Sequence, residues 1–238
     1  MQQMLVRYAV SDKEGRYKLD CLLEGTYDLY VQHDAGTVII REIKIGKSSE
    51  QKDIILQPGV KVSGTISIQG GNDAAEVMIM VLDVERDEPR SYAMTDADGK
   101  FEIEQSMPAG DYVILAYKDG YAIESEKITL KEPFTYKANL VPGGDVQVTV
   151  KSGGGKNISG SRIFIKTEDG RKVHRTYSFG RMDFGAYSGF NIKPLDKNGT
   201  TEIKGLKPGK YIIGVEKSDK TATVEVKALE VSSVNLNL

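Results

Sequence analysis

The chain has 238 residues, of which 39% are apolar and 28% are charged, and its formal net charge at pH 7 is −2. This near balance gives no electrostatic basis for nucleic acid or an anionic membrane surface as the main partner. No apolar run reaches the roughly 18 residues that a membrane-spanning helix needs, and the first residues lack the apolar core of a signal peptide. We therefore expect no membrane insertion within this chain.

A short phrase occurs three times along the chain. It reads Ser-Asp-Lys-Glu-Gly-Arg-Tyr at 11–17, Thr-Asp-Ala-Asp-Gly-Lys-Phe at 95–101 and, in a shorter form, Asp-Lys-Asn-Gly at 196–199. Each copy is followed by Gly-x-Tyr, which ends at Tyr27, Tyr112 and Tyr211. Self-similarity of this kind predicts a tandem array of one structural unit.

The spacing of the repeats predicts where the units begin and end. Gly15 and Gly99 lie 84 positions apart, and so do the two Leu-x-Pro-Gly segments at 56–59 and 140–143. Proline cannot donate to a β-ladder, so each Pro-Gly is expected to end one unit. The predicted domains are 1–57, 58–142 and 143–238, called units one, two and three below.

Two of the units depart from the regular length. In register with unit two, the opening strands of unit one would lie before Met1, so unit one is predicted to be an incomplete sandwich and the chain to be the C-terminal piece of a longer protein. In unit three, Gly143 and Gly199 are 56 positions apart, whereas Gly59 and Gly99 are 40 apart. Unit three therefore carries an insertion, at about 171–194.

Apolar residues alternate with polar ones at strand spacing, and helical periodicity is nearly absent. In unit two this pattern predicts strands near 60–67, 76–84, 90–95, 100–104, 111–117, 122–130 and 134–140. Both faces of the run from Val77 to Leu82 are apolar, so this strand is expected to be central. The predicted fold is all-β, with tandem antiparallel β-sandwiches of about seven strands per complete unit.

The repeated phrase also predicts local geometry. Asp98-Gly99 and Asn198-Gly199 are typical of two-residue hairpin turns in which both residues have positive φ. Substitution of Gly99 is therefore expected to destabilise unit two and to leave unit three nearly unchanged, because the Pro-Gly junction is expected to transmit few contacts. Tyr27, Tyr112 and Tyr211 are expected to be held by their hydroxyl groups at sheet corners.

The pattern Thr/Ser-Asp-x-x-Gly-x-Phe/Tyr, followed by Gly-x-Tyr, resembles the carboxypeptidase regulatory-like domain, a transthyretin-like (Ig-like) sandwich related to Cna-B-type adhesin repeats and starch-binding-like, carbohydrate-binding folds. The resemblance covers units one and two well and unit three partly, because Thr200-Thr201 replaces the usual aromatic residue. It implies a bacterial extracytoplasmic protein, whether secreted, periplasmic or on the cell surface. Such motifs specify a fold better than a function.

No set of residues typical of an enzyme is present, and no catalytic, cofactor or metal site is predicted. His33 and His174 lie in different units, and the single cysteine, Cys21, is interpreted as a passive loop residue. Asp96-Ala97-Asp98-Gly99 is similar to the start of a calcium loop, but a turn explains the same residues.

The resemblance also raises the Lys–Asn isopeptide bond of adhesin-type relatives, which a glutamate four positions after the Gly-x-Tyr tyrosine promotes. The corresponding residues in this chain are Val31, Ala116 and Val215. Glu216 comes one residue later, on the opposite strand face. An isopeptide bond is therefore not expected.

The insertion of unit three is the one stretch that departs from plain scaffold, because it concentrates aromatic and basic residues. The candidate ligand-binding residues are Tyr177, Phe179, Arg181, Phe184 and Tyr187. Aromatic faces with arginine suit stacking on a sugar ring or contact with another surface protein. The alternative is that these aromatics pack inward and give the insertion its own small core.

Three functions remain open on the sequence. The chain is expected to be a non-enzymatic, structural or spacer tandem of a secreted or surface bacterial protein. Its first alternative is a module that binds carbohydrate or protein through the insertion. The second alternative is an accessory region of an enzyme whose catalytic domain lies upstream.

Overall fold

The computed structural model describes residues 7–34, 36–71, 73–84, 88–155, 157–170 and 192–238. Within these ranges the regular secondary structure consists of β-strands and one short 3-10 turn at Gly153–Gly155. The predicted all-β fold is therefore confirmed. No helix of these residues is long and apolar enough to cross a membrane. The strands are β1 (Gly25–His33), β2 (Gly36–Ile45), β3 (Val62–Ile68), β4 (Met78–Asp83), β5 (Glu88–Met94), β6 (Lys100–Glu102), β7 (Gly110–Tyr117), β8 (Glu124–Leu130), β9 (Phe134–Leu140), β10 (Gly144–Lys151), β11 (Ile163–Thr167), β12 (Thr200–Leu206), β13 (Gly209–Val215), β14 (Thr221–Val226) and β15 (Val231–Asn237).

Unit two forms two sheets from seven strands. One sheet has the order β6-β3-β9 and the other has the order β5-β4-β7-β8. The core between them consists of the inward side chains of both sheets, among them Ile66, Ile79, Phe101, Ile114 and Leu130. Each of these is at most 6% exposed, as expected for the apolar positions of alternating strands.

Strand β4 is central, as its sequence predicts, because it pairs with β5 on one side and β7 on the other. Val77, Ile79 and Val81 belong to the core between the sheets. The alternate residues, Met78, Met80 and Leu82, form a second buried cluster with side chains of β7 on the other face of the sheet. Both faces of β4 therefore need apolar side chains.

One feature of the sheets differs from the antiparallel expectation. Strand β3, which opens unit two, pairs in parallel with β9, which closes it, from Val62 opposite Phe134 to Ile68 opposite Leu140. The opening strand β10 and the closing strand β15 of unit three pair in the same way. Opening and closing strands run in the same direction because each unit is entered at one end and left at the other.

Unit three repeats this plan with six strands in the described residues. Its sheets have the orders β12-β10-β15 and β11-β13-β14, and its core includes Val148, Ile165, Ile203, Ile213 and Val224. Ile192, near the end of the insertion, and Leu195, directly after it, are buried in this core. The chain is therefore anchored where it leaves the insertion.

Unit one has less regular structure than the other two. Its strands β1 and β2 form a two-stranded antiparallel sheet, and an isolated bridge joins Thr37 to Gln57. In register with unit two, β1 corresponds to β7 and β2 to β8. No other strand is present among residues 7–34 and 36–57.

Candidate functional site

The aspartates of the repeated phrase have a structural role in all three units. In unit two the Asp96 carboxylate accepts the backbone amides of Asp98 (2.9 Å) and Lys100 (2.8 Å). Asp12 and Asp196 accept the corresponding amides in units one and three. Hydrogen bonds from the backbone, those of Arg16 and Thr200 above all, hold the pKa values of Asp12 and Asp196 below their ordinary value. The aspartate at the start of the calcium-like phrase thus accepts the backbone amides of the turn.

The turns differ from the predicted two-residue hairpins. Gly99 has a φ of 73°, but Asp98 is not among the residues with positive φ. The Gly99 amide donates to the Asp96 carbonyl (2.9 Å), which is the geometry of a turn closed by a left-handed glycine. The flanking strands β5 and β6 also belong to different sheets, so the turn carries the chain from one sheet to the other.

The predicted tyrosine corners are confirmed in each unit. The hydroxyl group of each tyrosine donates to a carbonyl oxygen four residues earlier: Tyr27 to Leu23 (2.8 Å), Tyr112 to Pro108 (2.9 Å) and Tyr211 to Lys207 (2.8 Å). Burial raises the pKa of Tyr112 to about 12, with a smaller contribution from the carboxylate of Asp83. Burial also raises the pKa of Tyr211.

We expect unit two to lose stability at alkaline pH partly through Tyr112. Its pKa is higher in the folded protein, about 12, than in the unfolded chain, near 10. The neutral hydroxyl therefore stabilises the fold fully below pH 10, and this contribution is lost as the pH rises through 12. Tyr112→Phe should cost about 1 kcal/mol at pH 7, through the lost hydrogen bond, and should weaken the alkaline decline. Urea unfolding at pH 7 to 11 measures both, with the exposed Tyr92→Phe as the control. Equal pH slopes in the two variants would contradict the assignment.

The other residues considered from the sequence do not come together at one site among the described residues. Cys21 is exposed in a loop of unit one, with a φ of 59°, and His33 is exposed at the end of β1. His174 lies outside the described residues. Of the isopeptide positions, Ala116 and Val215 are buried, Val31 is half-buried and Glu216 is exposed, as the one-residue shift predicts. Within the described part of the chain, no three His, Cys, Asp or Glu side chains are placed to hold a metal ion.

The candidate ligand-binding residues Tyr177, Phe179, Arg181, Phe184 and Tyr187 all lie outside the described residues. The described ends of the insertion do have a defined place. Strand β11 ends at Thr167, which pairs with Tyr211 near the start of β13, beside the β12–β13 turn at Lys207. That turn faces unit two, so the insertion begins at the end of unit three nearest to unit two.

Units one and two meet at a buried charge cluster that sequence reasoning missed. Asp83, at the end of β4, is 1% exposed, and its carboxylate contacts Arg41 of unit one (2.5 Å) and Arg90 of β5 (3.1 Å). Arg41 also contacts Asp28 of β1 (3.3 Å). A charged residue directly after the wholly apolar run 77–82 was the available signal. One of its partners, Arg41, lies 42 positions earlier in the chain, and no local sequence pattern reveals a contact over that distance.

Units two and three meet through backbone contacts as well as charge. The Ile123 amide donates to the Gly205 carbonyl (3.0 Å), and the Gly143 amide donates to the Gly120 carbonyl (3.0 Å). Lys207 forms an ion pair with Glu124 (2.6 Å). A side chain at Gly143 would lie 2.7 Å from the Ala122 nitrogen. These contacts are few, so the expectation that the Pro-Gly junction transmits little between the two units stays a prediction.

Comparisons with known proteins add the following. No protein-family model matches the chain, and no curated protein is similar to it. Among solved structures it is similar to a cohesin–X–dockerin complex mutant of Acetivibrio cellulolyticus (19% identity, 36% of this chain and 60% of that one, TM-score 0.32). It is also similar to the minor pilin of Streptococcus agalactiae (15% identity, 75% of this chain and 94% of that one, TM-score 0.31). A third similar structure is a mutant shaft pilin of Lactobacillus rhamnosus GG (12% identity, 75% of this chain and 98% of that one, TM-score 0.32). At these identities and scores the similarities carry no argument about function.

Proposed function

We propose that the chain is a non-enzymatic structural spacer in a secreted or surface bacterial protein. Its domains are carboxypeptidase regulatory-like, transthyretin-like sandwiches at 1–57, 58–142 and 143–238, the first of them incomplete. The observation that carries the proposal is that successive units are held by specific contacts: Asp83 with Arg41 at one junction and Gly205 with Ile123 at the other. A spacer needs such contacts because a flexible linker would not fix the distance between the parts that it separates.

The repeat motif supports this function as well. The shared geometry of its three copies is used for turns and corners, with the aspartates bound to backbone amides and the tyrosines to backbone carbonyls. These hydrogen bonds stabilise the turns and corners of each unit. The extracytoplasmic location rests on the resemblance of the motif to the carboxypeptidase regulatory-like family.

We expect the distance between units two and three to have a narrow distribution. Spin labels on cysteines at the exposed positions Glu132 and Lys220, in a Cys21→Ser background, would report it by pulsed electron resonance. The double variant Gly205→Val/Lys207→Ala should broaden the distribution, because Gly205 has a φ of 63° and Lys207 pairs with Glu124. Lys204→Ala, which removes an ion pair within unit three, is the control. A broad distribution in the wild type would contradict a spacer.

The alternative function is a binding module that uses the insertion at 171–194. The composition of the insertion supports this alternative, since it concentrates aromatic and basic residues that the sandwich does not need. A glycan array with the wild type beside a Tyr177/Phe179/Phe184→Ala variant tests it. Binding that is lost in a variant of unchanged melting temperature would favour the module over the spacer. An accessory role beside an upstream catalytic domain is compatible with either function.

A further inference from the structure

The turn of the repeated phrase in unit three contains a chemically reactive pair of residues that the other two copies lack. Asn198-Gly199 is the one Asn-Gly pair in the sequence, whereas units one and two have Glu-Gly and Asp-Gly at the corresponding positions. The backbone nitrogen that follows an asparagine can attack the carbon of the asparagine side-chain amide. Glycine permits this attack best, because it has no side chain to obstruct the approach. Every other asparagine of the chain precedes Asp, Ile or Leu.

The folded turn withholds this nitrogen from the reaction. The Gly199 amide donates to the Asp196 carbonyl (3.0 Å), and Gly199 is buried although Asn198 is exposed. The reactive form is the deprotonated nitrogen, so a hydrogen bond to a carbonyl oxygen opposes the attack by keeping the proton in place. The Gly199 carbonyl also accepts the Val150 amide of β10 (2.8 Å). The nitrogen is therefore released only when the turn separates from β10, which is a local opening of the fold.

The Asp196 side chain closes the same turn. Its carboxylate accepts the backbone amides of Asn198 and Thr200 (both 2.8 Å) and the Thr200 hydroxyl (2.9 Å). These hydrogen bonds fix the backbone on both sides of the reactive pair. Removal of the carboxylate would loosen the turn without changing either residue of that pair.

We propose that Asn198 is a site of spontaneous deamidation whose rate is controlled by the opening of this turn. In the open turn, the Gly199 nitrogen loses its proton and bonds to the side-chain carbon of Asn198, and the side-chain nitrogen leaves as ammonia. Water then opens the five-membered imide at one of its two carbonyl groups. The product at position 198 is either aspartate or isoaspartate, and the net reaction consumes one water and releases one ammonia.

The two products differ in their effect on the fold. Unit two has aspartate at the corresponding position, Asp98, in a turn with the same backbone hydrogen bonds and a glycine of the same conformation. Aspartate at 198 therefore fits the turn and adds one negative charge. Isoaspartate adds a carbon to the backbone before Gly199, which moves the Gly199 carbonyl away from the Val150 amide. Opening of this turn can thus cause a permanent change, which the fold tolerates as aspartate and not as isoaspartate.

Peptide mass spectrometry on the full chain tests the proposal. The wild type is incubated at about pH 8 and 37 °C, either folded or in urea, and is then digested with pepsin in acid, where the reaction is slow. Deamidation is measured from the mass increase of the peptide that contains Asn198. We expect it to be about ten-fold slower, or more, in the folded chain. Asn157, which is exposed and precedes isoleucine, is the internal reference and should react slowly under both conditions.

Matched variants show whether the turn itself controls the reaction. Asp196→Ala should raise the rate in the folded chain several-fold, because it removes the acceptor of the Asn198 and Thr200 amides. Asp96→Ala removes the same acceptor from the turn of unit two and should leave the rate at Asn198 unchanged. Thr200→Val, which loses only the hydroxyl contact, should give a smaller increase and keeps the test valid if Asp196→Ala does not fold.

The products are tested separately. Asn198→Asp should melt at the temperature of the wild type, whereas a chain deamidated in urea and refolded should contain a second population in which the Val150 amide exchanges faster. A lower melting temperature of Asn198→Asp would overturn the tolerance of aspartate. Equal rates in the folded chain and in urea, or an unchanged rate in folded Asp196→Ala, would overturn control by the turn. No deamidation in urea would overturn the site.

Discussion

Replacing Asp83 by alanine is expected to lower the unfolding free energy of unit two by about 3–5 kcal/mol, the usual cost of removing one member of a buried ion pair. The Asp83 side chain is 2% exposed, and it offsets the charges of Arg41 and Arg90, whose side chains are 27% and 13% exposed. Without the carboxylate, two guanidinium groups would remain close together in a partly buried position. Asp83→Asn should cost less, because it keeps the shape and one acceptor oxygen.

Urea denaturation measures the change in unfolding free energy, and hydrogen exchange of the amides in β4 and β7 shows whether it arises in unit two. The matched control is Asp98→Ala, which removes an ion pair with Lys100 whose side chains are 74% and 65% exposed and should cost at most about 1 kcal/mol. Asp83→Ala should also raise the exchange rate in β2, because Arg41 joins the two units. Similar losses in the two variants would show that the charge cluster contributes little.

Replacing Gly99 by valine is expected to destabilise unit two by roughly 3 kcal/mol or more. A β-branched residue at a φ of 73° is strained by about 1–3 kcal/mol. Its Cβ would also lie 2.1 Å from the Ile66 carbonyl and 2.9 Å from the Ala74 Cβ, so β3 or the turn must move. Thermal unfolding and hydrogen exchange at β3 and β6 give the measurement.

Gly15→Val is the matched comparison, because Gly15 has a φ of 79° but a Cβ at this position would meet no atom within 4 Å. It should cost the backbone strain alone. Since Ile123 of unit two forms a hydrogen bond with Gly205 of unit three, Gly99→Val should also weaken the protection of the Ile123 amide from exchange. An equal loss from Gly15→Val and Gly99→Val would mean that strain, and not contact with β3, determines the effect.

The features that could be predicted from the sequence are those with a local cause. The strands of unit two follow from alternation, the turns from Asp and Gly, and the corners at Tyr112 and Tyr211 from the repeated Gly-x-Tyr. Each of these features depends on residues within a few positions of one another. The motif that encodes it can therefore be recognised in every copy of the repeat.

What could not be predicted depends on contacts between distant segments. The parallel pairing of β3 with β9 has no signature in either strand, since alternation is the same in parallel and antiparallel ladders. The same holds for Arg41 with Asp83 and for Gly205 with Ile123, which meet only because the units are stacked. Gly64, the one glycine in β3, was visible in the sequence. The contact that requires it, a Phe101 ring that a side chain at this position would meet, was not.

The parallel pairing of opening and closing strands has a mechanical consequence. A force that pulls the two ends of unit two apart draws β3 and β9 in opposite directions along their own length, over seven paired residues. The hydrogen bonds between them are then loaded together in shear, and they cannot break one at a time as they would if the strands were peeled apart. Units two and three both have this arrangement. Both units should therefore resist a stretching force more strongly than a pair of strands whose hydrogen bonds break one after another.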